Sequence, residues 1–284
     1  MKTLVYLGPQ GATFTHEAYL KACEYLGTWF GCLPYESAGS NREVIGRIMQ
    51  GDCYGLLALS TFAQGRITEN WEYLISHPMR ALHRVEIMAL VRLPLTFCLL
   101  TNHQGPNRAT GVLGHKKSFG ACVQFIERLG LPTQEVDSNG EGARLVATDP
   151  DYINWACLGP KCASNIYPDL TVRIAGCEDL PATTYFAVFR PTNQVRRECG
   201  FENRAIVVCE LDNHPGSLCD LLDVFRQSRI NMCQIHSAYI GNGTYRFVLE
   251  LELDQAKAEN FREVRRRMHR IPNQLRVFGP YPVI

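Results

Sequence analysis

The 284-residue sequence predicts an α/β protein of two unlike parts: a large region of alternating strands and helices, then a small βαββαβ unit. Three observations predict it. Apolar strand-like runs alternate with amphipathic segments between Thr3 and Phe189, the pattern of βα units that place helices on both faces of a largely parallel sheet. A stretch rich in Val, Leu, Met and Phe, Arg80–Leu100, reads as two strands between two such series; two halves arranged in this way leave a cleft at the strand C-termini. After the polar linker Pro191–Gly200 the order changes to strand, helix, hairpin, helix, strand.

Each element has its own signal. Thr3–Leu7 is a buried strand, Gly8-Pro9-Gln10-Gly11 a turn, and a helix runs from about Thr15 to Leu26. Ser40-x-x-Glu43 is a capping box that opens a second helix, ending near Gly51 before the short strand Tyr54–Leu59. Glu69–Ser76 is a third helix. Beyond Arg80–Leu100 come the strand Thr110–Leu113, the helix Phe119–Leu129 and the strand Thr133–Val136. Ser138-x-x-Glu141 is a second capping box before the helical stretch Gly142–Thr148, and Trp155–Asn165 and the strands Val172–Ala175 and Tyr185–Phe189 complete the region. In the last unit, strand Arg204–Leu211 runs into Asn213-His214-Pro215-Gly216. Leu218, Leu221, Leu222 and Phe225 then recur at helical spacing. Ile230–Ile240 and Thr244–Leu253 flank Asn242-Gly243, a strong hairpin signal, and helix Gln255–His269 and strand Leu275–Phe278 close the unit.

Composition narrows the function. Net charge is +1, and the one basic run, Arg265–Arg267, stands beside Glu259 and Glu263, as on a solvated helix face; no nucleic-acid partner is expected. No apolar run approaches membrane-spanning length, and Met1-Lys2-Thr3 leads straight into a strand, so neither a membrane nor a signal peptide is expected. The twelve cysteines stand singly, several within apolar elements (Cys98, Cys157, Cys209, Cys233), with no Cys-x-x-Cys pair; they read as buried, reduced thiols of a cytoplasmic protein, and no metal or other cofactor is expected.

The last unit resembles the ACT domain, a module that binds amino acids. The opening YLGPQGATFTHEAYLKA, with Asn41–Leu74, Gly114–Lys117 and Asp179–Phe189, resembles the prephenate dehydratase family along the whole chain. The resemblance implies a two-subdomain, periplasmic-binding-protein-like catalytic domain over residues 1–192 and an ACT regulatory or dimerisation domain, with a ferredoxin-like βαββαβ order, over residues 201–284. The substrate it implies is prephenate, with an amino acid as effector and a homodimer or tetramer as the assembly. The departures lie at site positions. The family's Glu-Asn-Ser is Ser60-Thr61-Phe62, although Gly65 keeps its place; its Thr-Arg-Phe is Thr184-Tyr185-Phe186; the Asn before that is Ala182; and the first turn holds one extra residue, at Ala12.

From this frame Thr184, Tyr185 and Ser60 are the candidate catalytic residues, with Thr184 the donor to the departing hydroxyl. Gly11, Thr13, Thr15, His16, Thr61, His115, Lys116, Ser138 and Phe186 are the candidate substrate contacts. The turn Gly8–Thr15 suits an anion because small residues expose backbone N–H groups at a helix N-terminus, although it is equally a tight turn with a cap. Ser138 is explained as a cap without any ligand. Lys116 or Lys117 is attractive for a dianion now that the arginine is absent; both, like His16 and Arg66, are also ordinary surface residues. A tyrosine cannot replace a guanidinium as a carboxylate clamp. General-acid help is worth about two to four orders of magnitude, so rebuilding the surroundings of the hydroxyl redirects the reaction. The leading expectation is non-aromatising decarboxylation of prephenate to a dihydro-4-hydroxyphenylpyruvate. The alternatives are prephenate dehydratase, favoured by the retained Thr184, and an inactive amino-acid sensor. Asn213, Gly216, Ser217, Leu218 and His236 are the candidate effector contacts. His236 and Ala238 replace an acid and a cation of the family pattern Glu-Ser-Arg-Pro, so weak or absent phenylalanine binding is expected.

Overall fold

The computed structural model describes residues 3–62, 65–66, 68–102, 109–193 and 203–284, with the backbone alone at 28, 29, 61, 62, 65, 66, 68, 69, 73 and 74. The chain starts with β1 (Leu4–Leu7), α1 (Phe14–Leu26), α2 (Thr28–Gly31), β2 (Tyr35–Ala38), α3 (Asn41–Gln50), β3 (Tyr54–Phe62), β4 (Gly65–Arg66), α4 (Thr68–Ser76), α5 (Met79–Leu82) and β5 (Val85–Leu95). It crosses to a second lobe made of β6 (Cys98–Asn102), β7 (Val112–Gly114), α6 (Lys116–Ala121), α7 (Val123–Leu129), β8 (Thr133–Glu135), α8 (Asn139–Thr148), β9 (Ala156–Gly159), α9 (Ala163–Ile166) and β10 (Leu170–Ala175). β11 (Ala182–Pro191) then returns to the first sheet. The two sheets have the orders β2-β1-β3-β11-β5 and β10-β6-β9-β7-β8.

Helices cover both faces of each sheet, as expected. Leu4 and Tyr6 of β1 face Ala18, Ala22 and Leu26 of α1, while Val5 points the other way to Val44, Ile45 and Ile48 of α3. The expectation of a largely parallel arrangement is corrected: both sheets are mixed. β1 is parallel to β2 and β3, and β7 to β8 and β9, but β11 is antiparallel to both β3 and β5, and β6 to both β9 and β10. The antiparallel strands are those at the two lobe crossings, and apolar patterning carries no information on strand direction. The crossings are tied together: Phe97 N donates to Glu178 Oε2 at 2.9 Å and Cys177 N to the Phe97 carbonyl at 3.0 Å.

Other boundaries also shift. Arg80 lies in the short helix α5, so the stretch expected as two strands begins with a helical turn. Ser138 caps a helix that starts at Asn139, before Gly142. β11 spans ten residues, not five, and Pro191, assigned to the linker, is its last. β2 carries no apolar signal because Glu36 and Ser37 are exposed on an edge strand. Residues 194–200 of the linker lie outside the described residues. The expectation of buried thiols holds for Cys98, Cys157 and Cys209 but is corrected for Cys32, Cys219 and Cys233, which are exposed.

The C-terminal unit keeps its expected order: β12 (Arg204–Asp212), α10 (Ser217–Gln227), β13 (Asn231–Gly241), β14 (Thr244–Glu252), α11 (Gln255–Met268) and β15 (Gln274–Tyr281), in a sheet β13-β14-β12-β15 with every pair antiparallel. Asn242 and Gly243 both take positive φ, 51° and 70°, as a tight hairpin turn requires. One sheet face packs under α10 and α11 through Val207, Leu249, Leu221, Phe225 and Phe261. The other face, with Ile206, Val208, Val248 and Phe278, shares a core with Ile75, Met79, Leu82 and Val85 of the first lobe. Two buried arginines cross this seam. Arg246 pairs with Glu210 and donates to the carbonyls of Ile75 and His77. Arg276 pairs with Glu86 at 2.9 Å and donates to the carbonyls of Leu82 and Val85. The chain end then lies along β5, with Leu90 N donating to the Pro282 carbonyl at 2.9 Å and Ile284 N to the Leu90 carbonyl at 2.8 Å. Among the described residues no helix is long and apolar enough to cross a membrane.

Candidate active site in the cleft between the lobes

Four helices begin at the cleft. Thr13 caps α1: its Oγ1 accepts from His16 N at 3.2 Å and donates to the Leu7 carbonyl at 3.3 Å. Ser40 caps α3, with Glu43 N donating to its Oγ at 3.2 Å. His115 caps α6 through Nδ1, which accepts from Lys117 N at 3.3 Å. Ser138 caps α8, accepting from Glu141 N at 3.0 Å, and its Oγ reaches across the cleft to the Gly8 carbonyl at 3.5 Å. The first residues of these helices enclose a cavity of about 160 Å³. The first lobe lines it with Leu7, Thr13, Phe14, Thr15, Asn41, Ala58, Thr184 and Phe186, the crossing with Leu95 and Phe97, and the second lobe with His115, Lys117, Ser118, Asp137, Ser138 and Asn139. Helix N-termini carry partial positive charge and unpaired amides. Together with Lys117 they make the cavity a setting for an anion, and its apolar walls suit a ring. Asp137, the acidic member of this lining, is exposed.

Of the catalytic candidates, Thr184 is buried (3% exposed) and lines the cavity with Phe186. Tyr185, between them on β11, points to the other face of the pleat and is absent from the lining. Ser60, its partner in register on β3, is also absent. Thr13, Thr15, His115 and Ser138 reach the cavity; Lys117 does so in place of Lys116. The side chains of Thr61 and Arg66 lie outside the described residues.

Gly11 and His16 sit beside the cavity and serve other contacts. Gly11 has φ +77°, and a Cβ there would stand 2.3 Å from Ile166 Cδ1, so the glycine lets the first turn pack against the second lobe. Ala12, the extra residue of that turn, is fully buried in the second lobe's core with Cys98, Leu100 and Ala163. A Cβ on Gly140 would lie 2.7 Å from Pro9 Cδ, and Cys162 Sγ stands 3.7 Å from the Thr13 carbonyl. The turn Gly8–Thr13 thus latches the lobes together. Glu17, one turn into α1, is half-buried beside Cys162, and desolvation raises its carboxyl above the usual range. His16 Nδ1 lies 3.0 Å from Tyr6 Oη within a cluster that includes Tyr19, and burial lowers its imidazole pKa.

Sequence reasoning missed Phe14, Asn41, Phe97, Ser118, Asp137 and Asn139 as lining residues. Asn41 and Asn139 each follow a capping serine directly, and that adjacency was the available signal. Phe97 is placed by the lobe crossing, which no local pattern marks.

A family model described as prephenate dehydratase matches residues 4–194, through both lobes and the whole cavity. The chain belongs to the prephenate dehydratase family. Among curated relatives of this prephenate dehydratase family member, the bifunctional chorismate mutase/prephenate dehydratase of Pseudomonas aeruginosa is 24% identical over 285 residues, covering 98% of this chain and 73% of the relative. An arogenate dehydratase/prephenate dehydratase of Arabidopsis thaliana is 26% identical over 247 residues, 80% of this chain and 61% of its own length. Among solved structures, the prephenate dehydratase of Arthrobacter aurescens in complex with L-Phe superposes with a TM-score of 0.80 at 21% identity, covering 98% of this chain and 89% of the other. A quorum quenching acylase, GqqA, matches with the same TM-score at 16% identity, covering 100% and 98%. At such identities these two likenesses establish the shared fold.

A second recess, of about 300 Å³, lies in the C-terminal unit where the turn after β12 enters α10. Asn213, Gly216, Ser217 and Leu218 line it, with Ser237, Tyr245 and Phe247 on β13 and β14. Ser217 Oγ donates to the Asp212 carbonyl at 2.9 Å, which steadies the turn. His236 is not in the lining. It pairs in register with Val248, which faces the first lobe, whereas the recess is on the helix side with Ser237.

Proposed function

We propose that this protein is a lyase that decarboxylates prephenate without aromatising it, yielding a dihydro-4-hydroxyphenylpyruvate. The observation that carries the prephenate reading is the cavity itself. Its helix N-termini and Lys117 suit a dicarboxylate, and Phe14, Phe97 and Phe186 suit a six-membered ring. The preference for retaining the hydroxyl rests on the acids at hand. Loss of carbon dioxide pushes an electron pair into the ring, and a proton taken up at a ring carbon completes the reaction with the hydroxyl kept. Aromatisation needs a proton delivered to the leaving hydroxyl, and among the described lining residues the carboxylic acid is Asp137, at the exposed rim. Tyr185 and Ser60 replace the charged members of the family pattern and do not line the cavity.

Dehydration to phenylpyruvate is the second reading, favoured by one observation: Thr184, the resemblance's donor to the departing hydroxyl, is buried in the cavity wall. NMR identification of the products formed from prephenate by the purified protein tests the choice. A product that keeps its hydroxyl is expected; phenylpyruvate as the main product selects dehydration, and no turnover of prephenate selects an amino-acid sensor.

The proposed catalytic unit spans residues 1–192 and the proposed ACT unit residues 201–284. The recess at Asn213–Leu218 is the proposed effector site and takes an amino-acid carboxylate at the start of α10. With His236 and Ala238 in place of the acid and the cation of the family pattern, phenylalanine binds weakly, and the unit chiefly joins subunits in a homodimer or tetramer.

A further inference from the structure

Asn139, the first residue of α8, has a side chain whose direction is settled by its neighbours. Its Oδ1 accepts from the backbone N–H of His115 at 3.0 Å and from Ser118 Oγ at 2.7 Å. A backbone amide can only donate, so the oxygen is the atom turned toward α6 and the amide NH2 is the end left for other partners. Asn139 is partly exposed and lines the cavity between the lobes. Its hydroxyl neighbour, Ser138, is committed elsewhere, to Glu141 N and the Gly8 carbonyl. The two bonds to Oδ1 also join the starts of α6 and α8 and make the carboxamide a rigid bracket between them.

We propose that Asn139 is a specificity-determining residue of the cleft: its side-chain NH2 donates to a carboxylate oxygen of the ligand, supplementing the helix amides and Lys117. The assignment rests on the reading of the cleft as a prephenate site. A donor fixed in this way favours a carboxylate over an ammonium group at that position, because an NH2 can satisfy only an acceptor. It costs little ordering on binding, since the carboxamide is held before the ligand arrives.

The test is Asn139→Asp. Aspartate keeps an oxygen for His115 N and Ser118 Oγ, and a carboxylate at the first position of a helix is tolerated or favourable, so the protein folds. What changes is the other end, from two donors to a charged acceptor. Isothermal titration with prephenate at neutral pH is expected to show at least about a tenfold loss of affinity, with a melting temperature at or above that of the unchanged protein; a lost hydrogen bond to a charged group is of this size. Prephenate bound equally well by the Asn139→Asp variant and the unchanged protein overturns the assignment while leaving the prephenate reading intact. Failure of the unchanged protein to bind prephenate overturns both. A second measurement needs no variant: the Asn139 side-chain NH2 resonances are expected to shift on titration with prephenate. Unshifted resonances at saturation overturn the proposal.

Discussion

The cleft and the seam are both polar places inside this molecule, and they handle polarity in opposite ways. At the seam, the charges face one another within the chain. Arg246 (5% exposed) meets Glu210 (7%) and the carbonyls of Ile75 and His77 at the end of α4, and Arg276 (4%) meets Glu86 and the carbonyls of Leu82 and Val85. In the cleft, four helix N-termini, Lys117 and Asn139 all turn donors toward one cavity whose described lining holds one carboxylate, at the rim. A buried charge without a partner is costly, so the seam reads as a completed structural joint, whereas the cleft presents helix N-termini, which suit an anion. The difference separates residues whose loss unfolds the protein from those whose loss silences it.

The largest expected effect is in the cleft. Thr184→Val removes a buried hydroxyl with little change of shape: on the dehydration reading, in which Thr184 donates to the departing hydroxyl, phenylpyruvate formation falls by about two to four orders of magnitude, whereas the hydroxyl-retaining reaction keeps its rate. Its melting temperature stays close to that of the unchanged protein, as calorimetry would show. A fall in stability with turnover intact would place Thr184 with the seam residues.

The converse substitution is Arg246→Met. It leaves Glu210 buried without its cation and removes the arginine's bonds to two carbonyls, and costs about 3–5 kcal/mol in denaturant unfolding. Changing Glu210 and Arg246 together to Met recovers part of that loss, because no uncompensated charge remains. A double variant as unstable as the single one would show that the helix-end carbonyls, not the ion pair, dominate the joint.

Ser138→Ala belongs to both regions, since the hydroxyl caps α8 and reaches the Gly8 carbonyl across the cleft. Loss of the cap costs about 1 kcal/mol. Prephenate affinity falls by a smaller factor than in Asn139→Asp, because Ser138 Oγ is already engaged.

The smallest effect is a pH dependence at the latch between the lobes. The Glu17 carboxyl is raised by burial, so the fold favours its protonated form. Its contribution to stability is therefore present below the carboxyl's unfolded pKa and is lost as pH rises through the folded value. Glu17→Gln is expected to raise the melting temperature at pH 7–8, with the gain shrinking toward pH 4. A gain that is the same at both ends would remove Glu17 from the titrating groups of the latch.

Much of this architecture was present in local pattern. The capping serines at 40 and 138, the Asn242-Gly243 turn and the period of Leu218, Leu221, Leu222 and Phe225 are decided by neighbours a few residues away, and the structure has each where it was expected. The motif frame likewise placed Thr13, Thr15, His115, Ser138, Thr184 and Phe186 at one cavity. Tertiary structure decided the rest. Strand direction at β6 and β11 follows from the chain crossing twice between lobes, a fact about connection in space that hydrophobic period does not encode. Gly11 and Ala12 looked like parts of an anion-binding turn, and their contacts with Ile166 and the second lobe's core arise between residues far apart in the chain. Asn139 differs from any other asparagine after a helix cap only because α6 turns His115 N and Ser118 toward its oxygen. Short-range signals specified the elements and their ends. Which atoms of those elements remain available to a ligand was settled by long-range packing, because a donor or acceptor already used by a distant segment has nothing left to offer.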